Sequence, residues 1–323
     1  MDLFAQRFRV VDLGTLRPPG VPQVQGFDTP VVGAHRVNQR GEIVGNSDGE
    51  VGGRRGFFWS AASGLRALSL PPGSSEANGE ADGVAYDLND LGHTVGAVRA
   101  ANTPWYCACL WRGRSRLLLD NDLLPPHPNR ESRALAINNR GQVVGESHPG
   151  GVFLWEKRRV RFLEGISLPQ SINEAGWVLG RAALWREGRL TFLAGSATQA
   201  SQASVFASSL NDRGQVVGSV AGRPFLWEAG RLRVLGNLPA GPFGRAVAIN
   251  NHGWVVGTCQ DNTSTAAGVE FLWHAGRSVD LRERTVPRAG LARFSAAALN
   301  DRGQIAGSGL LHNETRALLL EPI

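Results

Sequence analysis

The chain has 323 residues, 41 of them glycine, roughly twice the usual share of ~7%. Apolar residues at 42% and charged residues at 19% exclude a disordered chain, and no run approaches the ~18 apolar residues of a membrane span. The net charge of +6 comes from 33 arginines and one lysine, Lys157, scattered rather than gathered into a stripe, which argues against a nucleic-acid interface; three cysteines exclude a disulfide framework.

Taken from the start, Met1–Arg7 lacks the charged leader and apolar segment of a signal peptide, so a cytoplasmic location is expected. Arg7–Gly14 comes before any first strand and resembles Arg231–Gly236, so it reads as a strand standing before any partner. One motif then recurs seven times, anchored on Asn38, Asn89, Asn138, Asn173, Asn211, Asn250 and Asn300. An aliphatic residue precedes each anchor, and glycines follow three and seven residues later, as in Ile249-Asn250, Gly253 and Gly257. In that copy Arg245–Ile249 reads as a first strand, Asn250–Gly253 as a tight turn, and Trp254–Gly257 as a second strand. Phe271–Trp273 is a third strand and Arg277–Leu281 a fourth, giving a four-stranded meander.

Unit one carries His35 and Arg36 ahead of its anchor. Unit two is preceded by Glu80 and Asp82, carries Tyr86, and has Trp105 outside the repeat pattern beside Tyr106, followed by Cys107 and Cys109 on one strand face. Unit three is entered by Arg133, and unit four has Pro169 where the repeat calls for alanine. Arg245 enters unit six and Arg293 unit seven. Unit seven has strands near Ser295–Asn300, Gln304–Ser308 and Thr315–Leu320, and then the chain ends one strand short. The expected fold is therefore all-β: one seven-bladed β-propeller over residues 1–323, of four-stranded antiparallel blades. Residues 7–14 complete the blade formed by 295–320, so the two-domain count suggested by length gives way to one ring.

The pattern Ala-x-x-Ile-Asn-x-x-Gly-x-Val-Val-Gly followed by an aromatic-Leu-Trp strand resembles the bacterial HAF-repeat family. Its closest copies are Ala134–Gly145 with Val152–Trp155, and Ala246–Gly257 with Glu270–Trp273. The resemblance covers essentially the whole chain, although the His-Ala-Phe triplet is nowhere intact. It implies a repeat architecture and, for many family members, export; it implies no reaction.

Six tryptophans (Trp59, Trp111, Trp155, Trp185, Trp227, Trp273) share one third-strand position and read as packing between units. The anchor asparagines read as residues bonding their own turn backbone rather than as a ring of ligands. No metal-ligand spacing, phosphate-binding loop or nucleophile elbow is present, so neither a metal nor a cofactor is expected. The turns within units are short, whereas the loops at the opposite ends of the strands are long and unlike one another, which is where a rigid scaffold carries function. The expected function is binding of a small molecule or protein partner on that long-loop face, over the central channel. A small anionic or zwitterionic ligand, or an acidic segment, would meet Arg36, Trp105, Tyr106, Arg133, Arg245 and Arg293 there. The alternative is an enzyme of hydrolase, lyase or cyclase type at the same mouth. His35, Glu80, Asp82 and Tyr86 would then be the candidate catalytic groups, with arginines steadying an anion.

Overall fold

The computed structural model describes residues 2–17, 32–48, 54–72, 83–99, 105–123, 130–194, 204–261 and 268–323. The described architecture is all-β and propeller-like, built from four-stranded antiparallel groups. Five sheets hold four strands each; a sixth holds two such groups, joined by a single parallel bridge between Arg55 and Gly83. Among the described residues no helix is long and apolar enough to cross a membrane.

Within a unit the strands follow the reading above but extend past it. The sixth has Phe243–Ile249, Val255–Gln260, Val269–His274 and Arg277–Asp280, and Leu281 opens a short helix instead of ending the fourth strand. Strand-head residues pair where loops were expected: Phe243 lies opposite Gln260, and Leu291 opposite Leu311. In unit four, where Pro169 stands at the repeat's alanine position, the first strand shrinks to Ser171–Ile172. The N-terminal strand Phe8–Asp12 lies antiparallel to Glu314–Pro322, with Phe8 opposite Pro322 and Asp12 opposite Leu318. The first strands of successive units lie alongside one another in cyclic order, the seventh beside the first.

The core is distributed between units. Each apolar cluster mixes residues of neighbouring units, as where Trp155 and Phe153 pack with Leu110 and Val95. Of the shared third-strand tryptophans, all but the partly exposed Trp59 are buried, and Leu320 fills the same place in unit seven.

The two repeated glycines have separate causes. The first closes the Asn turn at a φ between 76° and 84°, a left-handed value that costs other residues energy. The second lies opposite a β-bulge in the first strand, present in units one, two, three, five, six and seven. There the first strand's carbonyl oxygen (Phe206 O over Gly218, for example) occupies the space a Cβ would need.

The anchor asparagines are all buried. Asn211 Oδ1 accepts from the N–H groups of Arg213 and Gln215, tying its own turn, while its Nδ2 donates to the carbonyl of Asn250 in the next unit. The same donation runs Asn38 to Asn89, Asn138, Asn173, Asn211, Asn250, Asn300 and back to Asn38, at 2.8–3.2 Å. A second cycle runs beside it. The N–H groups of Gln39, Asp90, Asn139, Glu174, Asp212, Asn251 and Asp301 each donate to the side-chain oxygen of the next member, at 2.7–3.0 Å.

Candidate functional site

Two cavities open side by side where units six and seven meet, at the strand ends away from the Asn turns. The first, of about 390 Å³, is lined by Leu281, Arg282, Leu291 and Leu320 among others. The second, of about 530 Å³, is lined by the hydroxyl-bearing Thr258, Ser295, Ser308 and Thr315. Gly268, Glu270, Arg293 and Phe294 line both.

Glu270 stands at the head of the third strand of unit six, opposite Thr258. Its Oε2 accepts from the N–H of Ala296 at 3.2 Å, on the first strand of unit seven. Asn46 Oδ1 serves Ala85 in the same way at 3.0 Å, and the Arg181 carbonyl serves Ala207 at 2.8 Å. A carboxylate is thus an unusual choice for this task. Burial pushes the Glu270 carboxyl up to about 7, against the pull of the Ala296 N–H, the Ser295 hydroxyl and the Arg245 guanidinium. Near neutral pH the group is therefore divided between acid and base forms, and can accept or donate a proton.

Of the residues singled out from sequence, Arg245 and Arg293 come together here. The others fall into separate sectors. Arg133 donates to Glu131 at 2.6 Å and lies 5.6 Å from the ring of Tyr106, which Arg99 also approaches at 5.1 Å; Tyr86 is close enough to act on the Arg133 charge. Trp105, 36% exposed, immediately precedes the strand Tyr106–Arg112. A cavity of about 420 Å³ at this sector is lined by Glu131, Arg133, Glu146 and His148. In the third sector a His35 ring nitrogen lies 2.9 Å from the Ala85 carbonyl oxygen, and Arg36 Nε lies 3.5 Å from Asp87 Oδ1. Asp87 also accepts from the backbone of Leu88 and of Ile137 at 2.9 Å, so this pair links units one, two and three. Burial raises the Asp87 carboxyl to about 6, with Arg36 as the main opposing influence. Glu80 and Asp82 lie outside the described residues.

Cys107, Cys109 and Cys259 are free thiols, and burial pushes Cys107 up to about 12 with Asp120 beside it. Among the described residues no group of three or more His, Cys, Asp or Glu side chains is placed to hold a metal ion.

Sequence reasoning missed Glu270, although the repeat carries its signal. Three residues before the third-strand tryptophan or its replacement stand Gly56, Ala108, Val152, Ala182, Pro224, Glu270 and Ala317. Six are small or apolar because the position packs between units; one is a carboxylate. Asp87 is exposed by the same comparison, in a column where most units carry alanine or serine.

No family model and no curated protein matches the chain. Among solved structures it overlaps a triple mutant of AofleA from Arthrobotrys oligospora at 11% identity and a TM-score of 0.39, over 91% of this chain and 87% of that one. The sialidase of Trypanosoma rangeli in complex with the inhibitor DANA overlaps at 11% identity and 0.39, over 96% of this chain and 58% of that one. A glycosyl hydrolase from Bacteroides ovatus overlaps at 10% identity and 0.33, over 99% and 95%. None of these similarities carries a functional assignment.

Proposed function

We propose that the chain is a seven-bladed β-propeller, its last blade completed by the N-terminal strand, which binds a small anionic or zwitterionic ligand, or a partner's acidic segment, at the junction of units six and seven. The single observation that carries the binding reading is Glu270. A half-buried carboxyl with a raised proton affinity sits between two cavities, with Arg245 acting on it and Arg293 lining both. Arginine supplies a forked donor for carboxylate or phosphate, and Glu270 supplies an acceptor for an ammonium or hydroxyl group. The cyclic hydrogen bonds and the Phe8–Asp12 pairing support the propeller reading.

The test is thermal unfolding of the full chain with a panel of amino acids and small dicarboxylates, since a ligand that prefers the folded state raises the midpoint. A raised midpoint that disappears in both Arg293→Ala and Arg245→Ala is the expected result. Equal shifts in wild type and both variants overturn the proposal.

A second reading, an acid–base enzyme at the same place, is favoured by one property: a carboxyl at about 7 is matched to proton transfer near neutral pH. In that case Glu270→Gln abolishes turnover of a ligand from the panel while leaving its binding within a few-fold. Binding with no turnover by wild type leaves the non-catalytic propeller.

A further inference from the structure

The two cavities at this junction differ in chemistry. Leu281 and Leu320 in the first are each 1% exposed, and they belong to the same apolar cluster as Phe8 and Ile305, with Phe294 packed against it. Its wall is therefore an extension of the core between units six and seven. Its charged members are Arg282, Arg293 and Glu270. The second cavity presents four hydroxyl side chains beside Phe294 and Leu310. A small inorganic anion would satisfy Arg293 and leave the leucine wall against water; a hydrocarbon would fill the wall and give Arg293 no anionic partner. Ligand sites generally join an apolar wall to a few placed polar groups, and the ligand reflects both.

Resting on the ligand-binding reading above, we infer that the ligand is an amphipathic carboxylic acid. Its apolar body fills the leucine-lined cavity, its carboxylate meets Arg293, and its polar extension reaches the hydroxyl-lined cavity. Glu270, protonated in part of the population at neutral pH, donates to that carboxylate. Leu291 stands on the wall, and the exposed Ala292 lies beside it at the rim.

The experiment is isothermal titration calorimetry of the full chain with octanoate, 3-phenylpropanoate, acetate and octan-1-ol. Each buried methylene is worth about fourfold in affinity. At least one of the two long acids is therefore expected to bind ten-fold or more tighter than acetate and than octan-1-ol, with a negative heat-capacity change. The two acids separate a chain-like from an aromatic body. Leu291→Trp, which fills the cavity, and Ala292→Leu, which narrows its rim, are each expected to weaken the favoured acid ten-fold and leave acetate unchanged. Thermal unfolding of each variant shows that it is folded. Arg293→Ala is expected to weaken the acid and acetate alike. Acetate binding that depends on Arg293, with no gain from the apolar body, overturns the amphipathic class and leaves the anion-binding reading standing. Loss of the Arg293 dependence for all four probes overturns both.

Discussion

Replacing Glu270 with glutamine tests the electrostatics of the site without removing its contacts. The amide oxygen still accepts from Ala296, and the amide N–H can donate to Ser295. In the folded chain the carboxyl titrates at about 7 rather than the ordinary 4.5, so the folded state binds the proton more tightly. Between those values the folded chain holds more protons than the unfolded one. This contribution to stability is thus complete below pH 4.5 and is lost as the pH rises through 7. At ~1.4 kcal/mol per tenfold change in proton affinity, full ionisation costs about 3 kcal/mol, or about 2 once solvent around a half-buried group is counted. For a chain of this length that is about 3–4 °C in midpoint. Scanning calorimetry of wild type and Glu270→Gln at pH 5 and pH 8 reads it directly, because groups common to both cancel. The variant is expected to gain on wild type by that amount between the two pH values. A difference that stays flat, or shrinks, refutes the burial assigned to Glu270.

Two further outcomes concern the scaffold. Asn211→Ala leaves the N–H groups of Arg213 and Gln215 and the carbonyl of Asn250 without their partner in a buried setting. At about 1–3 kcal/mol for each unsatisfied group, a loss of about 3 kcal/mol or more is expected in guanidinium denaturation; a loss under about 1 kcal/mol would mean the cycle adds nothing. The Asp87 carboxyl at about 6, above its ordinary 3.8, makes wild-type stability fall as pH rises from 4 to 6. Asp87→Asn should flatten that slope by a total of about 3 kcal/mol, less what is lost with the Arg36 pairing; a slope unchanged in urea titrations at pH 4 and 7 contradicts it.

The order of elements was legible because each unit repeats a physical need. A turn with positive φ needs glycine, its backbone needs an Asn acceptor, and an inter-unit face needs a large apolar side chain. Seven copies make such needs visible as columns. The Asn position shows the limit: its bonds within the turn follow from local spacing, but its Nδ2 donation joins Asn211 to Asn250 across 39 residues, a pairing set only by how units sit side by side. The bulge was equally hidden, since an extra residue such as Val247 looks like any other strand residue until the partner's register is known. At the site, Arg245 and Arg293 stood out as charges on varied loops. Glu270 did not, because it stands directly ahead of the repeated aromatic-Leu-Trp strand. It shows itself as a departure from a column rather than as a motif, and Arg133, singled out by the same loop logic, is engaged with Glu131 in another sector.

The two hydrogen-bonded cycles have a consequence for how the chain can vary. Each member gives to one neighbour and receives from another, so a cycle has no first or last position. The N-terminal strand joins the last sheet in the same manner, with the Ile323 N–H donating to the Arg7 carbonyl at 2.9 Å. Where the backbone is cut is therefore a different kind of property from how many units there are. In the proposed ring, opening the backbone at a different hairpin would keep every donor of these cycles with its acceptor. In the same proposed ring, deleting or adding one unit would force every remaining pair to a new angle at once.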